Sequence, residues 1–335
     1  MKNFLTLYVL LTLDTFTLFA QWQTDVRLSD FPISSRINDR VGKNIASSEN
    51  VVHTVWDDAR HGTEREIYYK RSTDDGISWG VDTRLTNDPA SSQLSTVAVS
   101  GNVVYVVWYD NRDGNGEIYF KRSTDAGLTW GDEIRLTDNA GLSNHPSVSV
   151  SGQIVHVVWQ DIRDGANGEI YYKRSTDEGV NWGTDMRLTN NSAASWNPSV
   201  SLSGSVVHVV WRDKRDGANG EIYYKRSADG GVSWENDIRL TNDPSASTDC
   251  SVNVSGQVVH ILWRDNRDGN DEIYYKRSTD GGVSWGTDIR LTNNSDVSID
   301  PSVTSSGSIV HVVWEDYRDG SEIYYKRSLD GGLNW

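Results

Sequence analysis

Short runs of Val, Ile and Tyr alternate along this chain with clusters of Gly, Ser, Thr, Asn and Asp, the pattern of many short strands joined by tight turns. The pattern also repeats. The string S-x-D-x-G-x-x-W closes at Trp79, Trp130, Trp182, Trp234, Trp285 and Trp335, with spacings of 51, 52, 52, 51 and 50 residues. Within the third period four strands are predicted, "PSVSVSG" (146–152), "IVHVVWQD" (154–161), "GEIYYKRS" (168–175) and "WGTDMRLT" (182–189), designated A to D. Turn residues separate them.

A four-stranded unit repeated roughly every fifty residues predicts an all-β fold, a six-bladed β-propeller of four-stranded antiparallel blades. The last copy stops at "SLDGGLNW" without a strand D, whereas "QWQTDVRLS" near the N-terminus matches the missing "WGTDIRLT". The strand from Trp22 to Leu28 is therefore expected to complete the last blade, which would close the ring and leave no free edge. An open array that begins in mid-repeat is the competing arrangement.

Composition narrows the function classes. The formal charge of -15 argues against a nucleic-acid partner, because phosphate binding needs a basic face. Cys250 is the single cysteine, so no internal disulfide forms and stability rests on the core. Residues 1–20, "MKNFLTLYVLLTLDTFTLFA", place Lys2 before an apolar run that ends at Ala20, which reads as a secretory signal peptide cleaved before Gln21. The run is short for a bilayer span. The expectation is a secreted or cell-surface protein whose residues 21–335 form one propeller domain with no membrane span.

The octapeptides "STDDGISW", "STDAGLTW", "STDEGVNW", "SADGGVSW", "STDGGVSW" and "SLDGGLNW" resemble the Asp-box, or BNR repeat, of the sialidase superfamily, and the resemblance runs from residue 22 to 335. Local physics accounts for the motif. The Asp carboxylate can accept N–H groups of its own turn, the Gly supplies a positive φ, and the Trp covers the hairpin. Asp74, Asp125, Asp177, Asp229, Asp280 and Asp330, with the six tryptophans, are therefore read as structural rather than catalytic. The resemblance implies a functional site on the opposite rim, where the B–C and D–A loops emerge.

Those B–C loops repeat as well, as W-x-D-x-R-D-G or close to it. Their Asp and Arg, such as Asp58 with Arg60 and Asp161 with Arg163, could form a charged ring. The favoured reading is that each Arg pairs with an Asp, or with the Glu opening strand C such as Glu169, and ties blades together. The strand-B histidines His53, His156, His208, His260 and His311 are expected to pack between blades rather than bind metal. An Arg stands where a calcium loop needs an oxygen ligand, and no cofactor or metal is expected.

Function is sought where the copies disagree. The first variable position after the strand-B Trp holds Asp57, Tyr109, Gln160, Arg212, Arg264 and Glu315, and the second includes Lys214 and Tyr317. In a closed ring, basic Arg212, Lys214 and Arg264 would face Asp57, Tyr109 and Glu315. The D–A loops add Arg36, Asp39, Asn144, His145, Trp196, Asp249 and Asp300. Trp196 could stack on the apolar face of a sugar or pack within its loop. Family sialidases hold a substrate carboxylate with three arginines, use a Tyr paired with a Glu as nucleophile, and use an Asp as acid/base. By resemblance, Arg212 and Arg264 would serve the carboxylate, Tyr109 or Tyr317 with Glu315 the nucleophile, and Asp57 the acid, and a hydrolase would cluster Arg36, Arg212 or Arg264 with the Tyr and Glu. The arginine motif of the family, R-I-P, reads Arg36-Ile37-Asn38 here, and the loops are short for a deep pocket. Three functions follow: a glycan-binding module, a sialidase-like glycoside hydrolase, and a protein-interaction scaffold whose rim has no pocket.

Overall fold

The computed structural model describes residues 26–29, 35–36, 43–165 and 167–335. It is an all-β ring of six antiparallel blades with no helix among the described residues. Blade 1 holds β1 (Ser35–Arg36), β2 (Ile45–Ser48), β3 (Val51–Asp58), β4 (Glu66–Ser72) and β5 (Thr83–Arg84). Blade 2 holds β6 (Ser92–Ser100), β7 (Val103–Asp110), β8 (Glu117–Ser123) and β9 (Ile134–Arg135), and blade 3 holds β10 (Ser143–Ser151), β11 (Ile154–Asp161), β12 (Glu169–Ser175) and β13 (Met186–Arg187). Blade 4 comprises β14 (Ser195–Ser203), β15 (Val206–Asp213), β16 (Glu221–Ser227) and β17 (Ile238–Arg239), and blade 5 comprises β18 (Ser247–Ser255), β19 (Val258–Asp265), β20 (Glu272–Ser278) and β21 (Ile289–Arg290). Blade 6 presents β22 (Ser298–Ser306), β23 (Ile309–Asp316) and β24 (Glu322–Ser328). The inner strands of all six blades border one central channel of about 610 Å³.

The core lies between blades. Val158, Ile170, Tyr172 and Leu188 of blade 3 pack on Val200, Val207, Val209 and Trp211 of blade 4, because both faces of each four-stranded sheet are covered by neighbours and so carry apolar residues. Polar ties follow the same boundaries. Lys225 Nζ donates to the Leu188 carbonyl at 2.6 Å, and Lys121 Nζ to Leu85 at 2.7 Å. Of the N-terminal strand expected over Trp22 to Leu28, residues 22–25 lie outside the described residues. Its described end makes the corresponding contact, with Lys70 Nζ donating to the Leu28 carbonyl at 2.7 Å. Ile323 of β24 is 69% exposed, where its counterpart Ile170 is fully buried. Residues 1–20 and Asp39 also lie outside the described residues.

Two strand boundaries differ from the sequence reading. Strand D is two residues long in each of blades 1 to 5, because only that stretch pairs with strand C. Strand A begins earlier than expected, at Ser143 in blade 3, and crosses a β-bulge between Asn144 and Ser147. Asn144, His145, Trp196, Asp249 and Asp300 therefore belong to strands, not to D–A loops. Arg36 likewise lies in β1, opposite Asp57 of β3.

Candidate functional site

The two faces of the ring are built from different hydrogen-bonding devices. On the face of the C–D turns, Asp177 Oδ1 accepts the Asn181 N–H at 2.8 Å and the Ser175 hydroxyl at 2.7 Å, while Ser175 Oγ accepts the Gly179 N–H at 2.8 Å. Hydrogen bonds to the charged form hold the carboxyls of Asp74, Asp125 and Asp177 down to about 2, and those of Asp229, Asp280 and Asp330 lower still. The turn tryptophan does more than cover its own hairpin. Trp130, Trp182, Trp234, Trp285 and Trp335 each meet an aromatic ring of the preceding blade edge-on, as Trp234 meets Tyr172 at 5.1 Å. For Trp79 no such partner is described.

On the opposite rim the repeated Asp and Arg are consumed by structure. Arg163 donates to both Asp161 oxygens and, at 2.6 Å, to Asp185 of the same blade. The Trp159 indole N–H also donates to Asp161. Glu169 pairs with Arg187 rather than Arg163. The Arg–Asp pairs thus brace single blades, and the cross-blade ties come from the strand-C lysines and arginines instead. Each buried strand-B histidine faces a tyrosine hydroxyl, His156 Nδ1 to Tyr172 at 2.8 Å, and burial beside Arg174 lowers its pKa to about 4.

The variable positions converge. Register places the residue after the strand-B Trp opposite the residue before the bulge: Gln160 opposite Asn144, Arg212 opposite Trp196, Arg264 opposite Thr248 and Glu315 opposite Ile299. The residue that follows in each bulge has a positive φ without being glycine: Leu94 at 56°, His145 at 50°, Asn197 at 53°, and Asp249 and Asp300 at 51°. A left-handed residue at a bulge turns its side chain out of the ladder. In blades 3 to 6 the result is a pocket of about 470 Å³ lined by His145, Gln160, Trp196, Asn197, Arg212, Thr248, Asp249, Arg264, Ile299 and Asp300.

Seven of the residues singled out from sequence line this pocket: His145, Gln160, Trp196, Arg212, Asp249, Arg264 and Asp300. Arg212 lies over Gly220, where a Cβ would stand 2.5 Å from its Nε, and its Nη2 donates to the Asn219 carbonyl at 3.0 Å. Its guanidinium is 5.4 Å from the Trp196 ring centroid, and Lys214 Nζ is 4.6 Å from the same ring, both within cation–π range. Trp196 is half-buried and so oriented by packing as well as by charge. Arg264 Nε sits 3.2 Å from Asp249 Oδ2. The basic half of the rim therefore carries its own carboxylates, Asp249 and Asp300, a mixed surface rather than the separate basic and acidic rims expected.

The other candidates stand apart. Asp57 is buried and ion-paired to Arg65 at 2.6 Å; burial raises its pKa, against the opposing pull of Arg65, the Leu94 N–H and Arg36. Tyr109 packs over Gly116, where a Cβ would meet its ring at 2.0 Å, and burial raises its pKa. Tyr317 is exposed and hydrogen-bonded to Glu315, which raises the phenol pKa; Asp300 adds to the shift. Glu315 also accepts a hydrogen bond from Ser321. Arg36, Asp57, Tyr109, Glu315 and Tyr317 do not line the pocket, and no group of three or more metal-ligating side chains occurs among the described residues. Sequence reading missed Asn197, Thr248 and Ile299. Their signal is position: Thr248 and Ile299 follow the Ser that opens strand A by one residue and Asn197 follows it by two, readable only once that strand is extended back through the bulge. A scaffold without a rim pocket is not what the rim presents.

Comparison with known proteins follows the fold. No family model matches the chain. A sialidase from Paraclostridium sordellii is 26% identical over 235 residues, 60% of this chain and 56% of that protein. Among solved structures, a Hadza microbial sialidase superposes with a TM-score of 0.62 at 16% identity, covering 86% of this chain and 65% of that one. A Trypanosoma rangeli sialidase bound to 2,3-difluoro-KDN superposes at 0.61 and 15% identity, over 88% and 54%. The intramolecular trans-sialidase of Ruminococcus gnavus with oseltamivir carboxylate superposes at 0.60 and 13% identity, over 86% and 94%. The chain thus spans little more than half of the sordellii and rangeli sialidases, and its fold is that of the sialidase-superfamily propellers.

Proposed function

We propose that this sialidase-fold propeller is a secreted module that binds glycans bearing a carboxylate, through the rim pocket of blades 3 to 6. The observation that carries the reading is that Arg212 and Arg264, on adjacent blades, line the same pocket as Trp196. Guanidinium groups match a carboxylate in geometry and charge, and a partly exposed indole offers apolar area to the C–H face of a sugar. The solved neighbours include sialidases bound to 2,3-difluoro-KDN and to oseltamivir carboxylate. Export rests on the leader-like residues 1–20.

A second reading, a glycoside hydrolase of sialidase type, is favoured by the Tyr317–Glu315 hydrogen bond and by the raised pKa of Asp57. In that reading Tyr317 attacks the anomeric carbon while Glu315 takes its proton, and Asp57 protonates the leaving oxygen. Against it, Arg36 stands opposite Asp57 rather than in the pocket with Arg212 and Arg264.

Calorimetric titration of residues 21–335 with sialyllactose and with lactose tests the first reading. Saturable binding of the acidic sugar alone, lost in an Arg212→Ala/Arg264→Ala double variant, supports it; equal affinity for both sugars, or none for either, sinks it. Release of free sialic acid that disappears in Tyr317→Phe would establish the hydrolase instead.

A further inference from the structure

The central channel carries an unusual electrostatic arrangement. Its wall is aliphatic and hydroxylic, with Val97, Val148, Val254 and Val303 beside Ser149, Ser201 and Thr304. Among the described residues that line it there is no Asp or Glu and one Lys. Lys43, from the segment leading into β2, extends across the channel, and its Nζ lies 3.5 Å from Ser201 Oγ on blade 4, the blade three positions around the ring. His311, the other titratable group of the wall, is held neutral by burial and by Arg327, which lower its pKa.

The hydroxyl-bearing positions share one level. Ser149, Ser201, Asn253 and Thr304 occupy the same register, each opposite a strand-B histidine, while blades 1 and 2 place Ala46 and Ala98 there. The Asn253 carbonyl oxygen accepts the Ser305 hydroxyl at 2.5 Å, which leaves its amide N–H groups to donate. The level therefore combines an ammonium, hydroxyls and an amide on one side with room left by two alanines on the other. A cation taken from water without a paired carboxylate is costly, and burial accordingly lowers the Lys43 pKa to about 8.

We propose that the channel is a binding site for a monovalent inorganic anion, a halide, held by the Lys43 ammonium and the Ser201 hydroxyl with Asn253 and Thr304 completing its shell. A single ammonium calls for a single negative charge, and donors on opposite blades suit a small ion that bridges them. The bound ion links blade 1 to blade 4 through the axis of the ring, independently of the rim pocket and of whatever sugar that pocket takes.

The test uses residues 21–335 crystallised and soaked in sodium bromide, with anomalous scattering locating the ion. An anomalous peak within hydrogen-bonding distance of Lys43 Nζ, absent from Lys43→Met, is the expected result. In solution the wild type should melt at a higher temperature in sodium bromide than in sodium gluconate of equal ionic strength, and Lys43→Met should lose that difference. No peak in the wild-type channel, a peak that survives Lys43→Met, or a bromide-dependent shift of equal size in the variant overturns the proposal. Should Lys43→Met fail to fold, Lys43→Arg retains the charge, and the wild-type peak decides the matter alone.

Discussion

The C–D turn face and the B–C rim are made by the same six repeats yet differ in how each copy spends its side chains. On the turn face the Ser, Asp, Gly and Trp of every copy hold one geometry, as the Asp177 and Asp229 turns illustrate. At the rim the repeated Asp and Arg brace each blade in the same way, but the residues flanking them run from Gln160 through Arg212 to Glu315. The difference teaches that the frame is complete without the variable positions. A side chain at the rim can change with little effect on the ladder beneath it, whereas the turn residues are bound to two blades at once.

Acid should give the largest effect, because it acts on all blades together. His53, His156, His208 and His260 have a folded pKa of about 4 against an ordinary 6.5, so the unfolded chain binds their protons first and stability falls as pH drops from about 6.5 towards 4. The turn carboxylates, at about 2 in Asp74, Asp125 and Asp177 against 3.8, contribute stability above pH 3.8 that is lost as pH falls through about 2. Thermal melts across this range should show two successive declines, and Asp177→Asn should lessen only the second.

Next in size is Gly231→Ala. A Cβ there would stand 1.9 Å from the Tyr172 hydroxyl of the preceding blade, at a φ of 82°, and the combined backbone and overpacking cost is about 2–4 kcal/mol in denaturant unfolding. The Arg212→Ala/Arg264→Ala variant should reverse the balance: unfolding free energy within about 0.5 kcal/mol of wild type, but affinity for sialyllactose at least about tenfold weaker. An equal loss of stability in both variants would erase the distinction between the two faces. Trp196→Ala should have the smallest consequence, about 1 kcal/mol of sugar affinity by titration, with Lys214 and Arg212 losing the ring they stack against.

The blade count, the strand order and the placement of the turns were legible because a repeated motif multiplies a weak local signal sixfold. Arg212, Arg264 and Trp196 were legible as departures from that repeat. What escaped was conformational. Asp249 and Asp300 were visible as singular residues, but no local pattern announces that non-glycine residues adopt a left-handed φ at a bulge and turn into a pocket. Arg36 reads as part of a long loop because seven residues separate it from Asn44, whereas in the other blades two residues span the bulge, as His145 and Pro146 do. Only the pairing of β1 with β3 reveals it as the blade 1 counterpart of Trp196. Tyr109 looked catalytic by type, and it is the neighbouring Gly116 that makes it a packing residue.

The ties between blades link each blade to its neighbour in the chain, from both sides of the boundary. Trp234 reaches back to Tyr172, Lys225 reaches back to the Leu188 carbonyl, and Arg174 reaches forward to the Gly230 carbonyl at 2.7 Å. As the polypeptide leaves the ribosome, each newly made blade therefore finds its predecessor already waiting with an uncovered face, and it covers that face while exposing one of its own. Growth of the ring is a relay in which an apolar front advances from blade to blade while the far face of blade 1 waits for closure, so a stalled or shortened chain would carry two sticky surfaces regardless of where synthesis stopped.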